Sequence, residues 1–208
     1  MPVNIKDREY RMIEIGAIEA REAENGEKIV EGYATTYNRE YSLYDDGSYE
    51  VREQIDRGAF DDADTKDTIM QYNHEGRVFA RISNGTLRLS SDEHGLKIRA
   101  DLGGTEIGRQ LYEEIKGGYT TKMSFGFTVA KQERTEEKDN GKIIIHRKIT
   151  GIRKLYDVSA VSLPANDTTE ISARNFSEGV IAEVEQERLA IAARQRKMEQ
   201  IKITAKSF

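Results

Sequence analysis

Three histidines are the first candidates for chemistry in this sequence, at positions 74, 94 and 146. A serine nucleophile needs a general base beside it, and histidine is the usual one. His94 lies in the turn sequence SSDEHG, which is typical of an exposed turn residue, and His146 lies in a predicted strand among isoleucine and arginine. His74 follows the apolar strand TIMQYN and precedes Glu75-Gly76. A rigid strand end that opens into a loop is a suitable place to fix a base.

Ser124 is the serine whose surroundings suit a nucleophile. In the sequence KMSFGFT, apolar residues alternate with Ser124 and Gly126, which predicts a strand. Glycine beside a serine leaves room for a substrate backbone to approach. Taken alone, the pattern around Ser124 favours a small residue on a half-exposed strand, and a lone histidine such as His74 is more often structural than catalytic.

Asp157 lies in the apolar segment KLYDVSAVSL. A carboxylate in such a segment is costly to desolvate unless it is paired. The Nδ1–H of a histidine is one suitable partner, because the carboxylate then fixes the tautomer and stabilises the imidazolium. The alternative is a solvent-facing strand residue near Arg153 or Lys154.

The amino-acid composition limits which other kinds of catalytic or metal site the chain can form. There is no cysteine, which excludes disulfides and thiolate metal sites. The histidines are 20 and 52 residues apart, a spacing that fits no compact metal motif such as HExxH. A metal hydrolase that uses all three histidines is therefore the least favoured hypothesis, and we expect neither a metal nor a cofactor.

The bulk properties favour one ordinary domain with an appendage. The chain has 208 residues, of which 37% are hydrophobic and 33% charged, with a net charge of −5 and no basic patch. Nucleic-acid binding as the main activity is disfavoured, since phosphate contacts need clustered lysine and arginine. No apolar run approaches 18 residues, and the start MPVNIKDREY lacks an apolar signal core. We therefore expect a soluble protein made in the cytoplasm, without a membrane partner.

The elements that must position these side chains are mostly strands. We predict a β-hairpin over residues 10–37 around Asn25-Gly26, a second hairpin across SSDEHG, and a helix from the N-cap Thr105 to Gly117-Gly118. Residues 68–74 are predicted to be a strand that opens into a loop at Gly76. After the KMSFGFT strand we expect a charged loop, QERTEEKDNG, and two strands, IIIHRKITGI and KLYDVSAVSL, the second ended by Pro164. The fold class is α+β, mostly β: an antiparallel barrel or sandwich with helices around it.

The composition changes from about Ser177. The last part of the chain is rich in Ala, Glu, Gln and Arg and is predicted to be helical. Val184, Ile191 and Met198 recur at an interval of seven and form a thin apolar stripe. This indicates either a solvated helix that packs on its own domain, or an arm that docks on a scaffold or a second copy. We divide the chain into a domain over 1–176 and a helical charged tail over 177–208.

Taken together and in order, five motifs resemble the caudovirus prohead protease family. EGYATTYN is similar to its opening strand, REQIDRGAFDDA to its "pGAF" segment, and QYNHEG to its "NH" motif. KMSFGF is similar to its "SxGF" motif and LYDVSAVSLPAND to its "xEVSxVxxPAN" motif. The resemblance covers roughly residues 30–173. It implies a serine endopeptidase with a fold similar to the herpesvirus assemblin, a β-barrel surrounded by helices, to which the C-terminal helix is added.

The resemblance implies roles for the candidate residues. Ser124 and His74 stand where the family has its serine and histidine, and Asp157 stands where the family often has glutamate. Because related viral enzymes use a second histidine as third member, His146 is the alternative, but it precedes the LYDVS motif and we prefer Asp157. The loop Pro164-Ala165-Asn166-Asp167 is a candidate source of an oxyanion-binding N–H, and Asn73 a candidate local orienter of His74.

The resemblance also implies substrates and a location. The substrates are the scaffold or the scaffolding segment of the major capsid protein, and the protease itself. The location is the immature capsid in the host cytoplasm, with self-association through the C-terminal helix. The competing hypothesis is a non-catalytic capsid assembly protein with the same fold.

Overall fold

The part of the chain that the structure describes folds into eleven strands, two α-helices and the short 3₁₀ helix Ile82–Asn84. The structure is a computed structural model, and it describes residues 8–13, 18–24, 26–162 and 167–205. The strands are β1 Glu9–Ile13, β2 Glu19–Glu22, β3 Lys28–Thr36, β4 Tyr41–Asp45, β5 Tyr49–Ile55, β6 Ile69–Tyr72, β7 Glu75–Arg81, β8 Leu87–Ser91, β9 Gly95–Asp101, β10 Lys122–Asp139 and β11 Lys142–Val161. The helices are α1 Glu106–Lys116 and α2 Asp167–Ala205. The predicted class, mostly β with helices, is confirmed.

The strands form two sheets. One has seven strands: β1, β10, β11, β5 and β4 follow one another, and β6 pairs with β11 and with β7. The other has the order β2-β3-β9-β8. Among the residues described, these strands do not close into the predicted barrel. They are also not all antiparallel, since β11 runs parallel to both β5 and β6 along one of its edges. The likeness to the herpesvirus enzyme stays a prediction.

Three predicted elements differ from the structure. The predicted hairpin 10–37 is a shorter hairpin of β2 and β3, because β1 leaves it and pairs with β10 in the other sheet. The predicted charged loop QERTEEKDNG continues β10 as far as Asp139, so that only Asn140-Gly141 turns, and the two following predicted strands are the single strand β11. Gly76 lies in β7 and not in a loop. Pro164 lies outside the described residues.

The main core lies between the two sheets and under α1. Met123, Phe125 and Phe127 of β10 are fully buried there, and they join apolar residues of β3, β8, β9 and β11. α1 is capped as predicted: the Thr105 side chain accepts a hydrogen bond from the backbone N–H of Gly108 at 3.0 Å. The intervening residues Ser124 and Gly126 of β10 are buried as well. β10 is therefore covered on both faces, and not half-exposed as its alternation alone allows.

α2 docks only with its first half. Val184 is fully buried and forms a small second core with Val51 of β5 and Ile145 of β11. Arg134, on the far part of β10, makes ion pairs to Glu183 and Glu187. The helix begins at Asp167, ten residues before the change in composition. Its later apolar residues are exposed: Leu189, Ile191, Met198 and Ile201. No helix among the described residues is both long enough and apolar enough to cross a membrane.

Candidate active site

A two-residue turn between β6 and β7 carries His74. Tyr72 pairs with Glu75 across it, and both turn residues have positive φ, 51° at Asn73 and 62° at His74. Positive φ at both central positions is the geometry of a type I′ hairpin turn, which asparagine tolerates better than most residues. Histidine is less common in this region of backbone space. The tight hairpin therefore fixes His74 where the sequence predicted the start of a loop.

Asn73 ties this turn to the end of β11. Its backbone N–H donates to the carbonyl of Ala160 at 3.0 Å. Its side-chain Oδ1 accepts from the backbone N–H of Ser162 at 3.2 Å, and its Nδ2 lies 3.4 Å from Ser162 Oγ. These bonds hold the turn that carries His74 against the end of β11, and the role of Asn73 as an orienter of His74 stays a prediction.

The structure brings His74, Ser124 and Asp157 together. His74 Nε2 lies 2.6 Å from Ser124 Oγ, and His74 Nδ1 lies 2.5 Å from Asp157 Oδ1. Ser124 and Asp157 sit on the neighbouring strands β10 and β11, and the β6–β7 turn places the imidazole between them. All three side chains are nearly buried: the exposed fraction is 6% for the His74 side chain and 1% for that of Asp157.

Asp157 is held from several sides. Ser159, two residues along β11 and therefore on the same face, donates a hydrogen bond to Asp157 Oδ1 at 2.8 Å. The other oxygen, Oδ2, has no hydrogen-bond partner among the described residues, and its nearest cation is Arg8 at 3.9 Å. Opposite Asp157 on β10 is Gly126, where a Cβ atom would come within 2.4 Å of Oδ2. The space over Gly126 thus takes the carboxylate, and not the substrate backbone that the sequence suggested.

β1 covers Ser124. Met12 pairs with Ser124 in the antiparallel register of β1 and β10, and Ser124 is 1% exposed. The Ser124 hydroxyl also lies 2.9 Å from the carbonyl oxygen of Arg11. The ring of Tyr10 meets the His74 ring edge to face, with centroids 4.6 Å apart. The sequence does not predict that β1 contacts the site, because the alternation in residues 9–13 indicates a strand but not the strand with which it pairs.

The other two histidines lie elsewhere. His146 is bonded to Glu40, with Nδ1 to Oε1 at 2.6 Å, and the His94 ring meets the Tyr33 ring edge to face. His146 does not meet His74, and Asp157 occupies the place that His146 was considered for. Within the described parts of the chain, no group of three or more acidic or histidine side chains is arranged to hold a metal ion.

Ser159 is a neighbour that sequence reasoning did not single out, although a signal exists. In the segment DVS the aspartate and serine are two residues apart, and a strand puts both on one face. Of the loop considered for the oxyanion, Pro164-Ala165-Asn166-Asp167, the first three residues lie outside the described residues and Asp167 begins α2.

A hydroxyl, an imidazole and a carboxylate joined in series is the constellation by which serine hydrolases are recognised on unrelated folds. Comparison of the amino-acid sequence with known families shows which group of serine hydrolases the chain belongs to. Residues 16–184 match the family model of the caudovirus prohead serine proteases, and the chain belongs to that family. The family comprises proteases of capsid maturation in tailed bacteriophages.

One solved structure that resembles this chain is the capsid assembly protease gp21 of bacteriophage T4. The two are 14% identical, with a TM-score of 0.46, over 74% of this chain and 98% of that one. No curated protein sequence matches the chain significantly.

Proposed function

We propose that the chain is an active serine endopeptidase with Ser124 as nucleophile, His74 as general base and Asp157 as the carboxylate that orients His74. The observation that carries the proposal is the position of the imidazole, which contacts the hydroxyl with Nε2 and the carboxylate with Nδ1. Because Nδ1–H is donated to Asp157, the lone pair of Nε2 is free to accept the serine proton.

The reaction proposed is acyl transfer to Ser124 and then to water. Ser124 Oγ attacks the carbonyl carbon of the substrate while its proton passes to His74 Nε2. Collapse of the tetrahedral intermediate breaks the C–N bond, and His74 returns the proton to the leaving amine. Water, deprotonated by the same imidazole, then releases the acyl group. Asp157 stabilises the imidazolium in both halves. Backbone N–H groups must hold the oxyanion, and those of the loop Pro164-Ala165-Asn166-Asp167 remain our candidates.

The substrates proposed are the scaffold, or the scaffolding segment of the major capsid protein, and the protease itself. Cleavage takes place inside the immature capsid in the host cytoplasm, without nucleic acid or membrane as a partner. The second half of α2 is proposed as the self-association or packaging arm, because four large apolar residues on it are more than half exposed: Leu189, Ile191, Met198 and Ile201.

Co-expression with the major capsid protein of the same phage tests this function. The capsid protein is followed by gel and mass spectrometry beside wild-type protease, Ser124→Ala, and Ser90→Ala as a control at an exposed strand serine. We expect a shortened capsid protein with wild type and Ser90→Ala, and a full-length one with Ser124→Ala. Normal shells with an uncut capsid protein in all three would favour the non-catalytic assembly protein instead. Cleavage by Ser124→Ala would show that Ser124 is not the nucleophile.

A further inference from the structure

A pocket of about 530 Å³ lies between β7 and α1, beside the turn that carries His74. Its size is within the range of about 300 to 1,000 Å³ that is usual for ligand sites. One wall is formed by residues between Tyr72 and Phe79 of the β6–β7 hairpin, and the other by residues between Ile107 and Glu114 of α1. The side chains of the proposed triad do not line it, so the pocket is open to a ligand.

Both walls of this pocket lead directly to the proposed triad. Asn73 and Glu75, which line it, are the residues on either side of His74. The other wall continues from α1 through Gly117-Gly118 into β10, which carries Ser124. Neighbouring Cα atoms are about 3.8 Å apart, and an extended peptide advances about 3.3 Å per residue. A substrate side chain within about three residues of the scissile bond can therefore reach the pocket.

The floor of the pocket is apolar and is fixed by the main core. Leu111 is only 3% exposed. Tyr72 and Phe79 are half-buried, and both pack against the main core. Because the core holds these side chains in place, the pocket is formed before a ligand arrives. An apolar side chain of the substrate leaves water when it enters, and this favours binding.

Two exposed carboxylates line opposite walls of the pocket. Glu75 belongs to β7 and Glu114 to α1, and neither makes an ion pair within the described part of the chain. The lining also contains one guanidinium, that of Arg77, so its net charge is −1. Arg77 is two residues farther along the chain from His74 than Glu75 is. A basic residue beside the bound apolar side chain is attracted by the carboxylates, and an acidic residue is repelled.

We propose that this pocket is a substrate subsite. It holds an apolar side chain from within about three residues of the scissile bond, and Glu75 and Glu114 bind a basic residue next to that side chain. This inference rests on the proposed function, to which it adds the chemistry of the sequence that is cut. The triad breaks the peptide bond, and the pocket selects which bond is presented to Ser124.

The test exchanges charge between the protease and its substrate. The protease is co-expressed with the major capsid protein, and the cut is located by mass spectrometry. We expect an apolar residue and a basic residue within about three residues of this cut. In a second capsid protein, that basic residue is replaced by glutamate. Wild-type protease should cut this variant at least about ten times more slowly than the natural capsid protein, whereas Glu114→Lys protease should cut it at least about ten times faster than wild type does.

Glu113→Lys is the matched control for this exchange. Glu113 is exposed on the same helix, beside Glu114, but does not line the pocket. This variant should cut both capsid proteins at the wild-type rates. The inference is overturned by a cut that has no basic residue in this window, or by a glutamate-bearing capsid protein that Glu114→Lys cuts no faster than Glu113→Lys does. A natural capsid protein that wild-type protease does not cut at all would instead contradict the proposed function.

The apolar part of the subsite is tested at Ile107, which is half-buried in the lining. Ile107→Lys places a cation in the pocket, and we expect it to cut the natural capsid protein at least about ten times more slowly than wild type. Ile107→Val removes one methylene group and should lose at most about fourfold. Circular dichroism establishes that both variants are folded. A folded Ile107→Lys protease that cuts as fast as Ile107→Val would show that no apolar side chain binds here.

Discussion

Replacing Gly126 by alanine places a methyl group against the carboxylate that contacts His74. The added Cβ would lie 2.4 Å from Asp157 Oδ2, whereas non-bonded heavy atoms are comfortable at about 3.5 Å. The carboxylate must therefore shift by roughly 1 Å. It has little freedom to do so, because Ser159 and His74 both bond its other oxygen. The shift is expected to turn the imidazole away from Ser124.

The expected loss of rate follows from how strongly enzyme rates depend on the position of catalytic groups. A misplacement of about 1 Å can cost about 10²-fold in rate, and loss of the correct carboxylate in a serine protease costs about 10⁴-fold. We therefore expect Ser124 of the Gly126→Ala protein to react with a fluorophosphonate probe about 10² to 10⁴ times more slowly than Ser124 of its parent. This corresponds to an increase of about 3 to 5 kcal/mol in the activation free energy. The same Cβ would come within 2.9 Å of the Tyr10 ring on β1. The parent for the comparison is the wild-type protein.

Gly104→Ala is the matched control. Nothing lies within 4 Å of a Cβ at Gly104, so this variant should label at the parent rate. Circular dichroism and thermal melts establish that both variants are folded. A folded Gly126→Ala protein that labels within about threefold of the control would refute the reasoning that Asp157 must be closely packed to orient His74.

Three further changes have defined outcomes. Asn73→Ala removes the side-chain bonds to Ser162 and puts alanine at a φ of 51°, so we expect the probe to label Ser124 about tenfold more slowly than in wild type. Asn73→Gly also loses those bonds, but glycine suits this φ, and we expect a loss of only about threefold. Equal labelling rates in the two variants and wild type would contradict the role of the turn. Burial raises the pKa of Glu53, but the charges of Arg11 and Arg147 outweigh it and lower the pKa to about 2. The ionised Glu53 therefore adds to the free energy of unfolding at any pH above its pKa in the unfolded chain, about 4.3, and this contribution is lost as the pH falls toward 2. In urea titrations, the free energy of unfolding of wild type should fall by about 3 kcal/mol more than that of Glu53→Gln over this pH range. An equal fall in both proteins would contradict the prediction. Gly179→Ala, inside α2 with open space around its Cβ, should raise the free energy of unfolding by about 1 kcal/mol, and an unchanged melting temperature would show that α2 does not unfold with the rest.

Local chemistry allowed much of the site to be located from the sequence. The alternation around Ser124 and the apolar segment around Asp157 both predict strands, and these strands are neighbours in the structure. The cap at Thr105 and the second hairpin are likewise set by residues close to them in the chain, and both predictions are confirmed.

What the sequence did not reveal depends on contacts between distant residues. Nothing local in residues 9–13 shows that this strand pairs with β10, more than a hundred residues later. The charged stretch after Lys131 has a loop composition, yet it is a strand because β11 provides a partner along its whole length. The parallel pairing of β5 and β6 with β11, and hence an open sheet in place of a barrel, is equally non-local.

The most direct test of the central claim is to locate the fluorophosphonate adduct by peptide mapping. Wild type and His74→Ala are treated with the probe. The account predicts an adduct on Ser124 in wild type and its loss when His74 is replaced. An adduct on a different serine, or labelling of Ser124 that does not depend on His74, would contradict it.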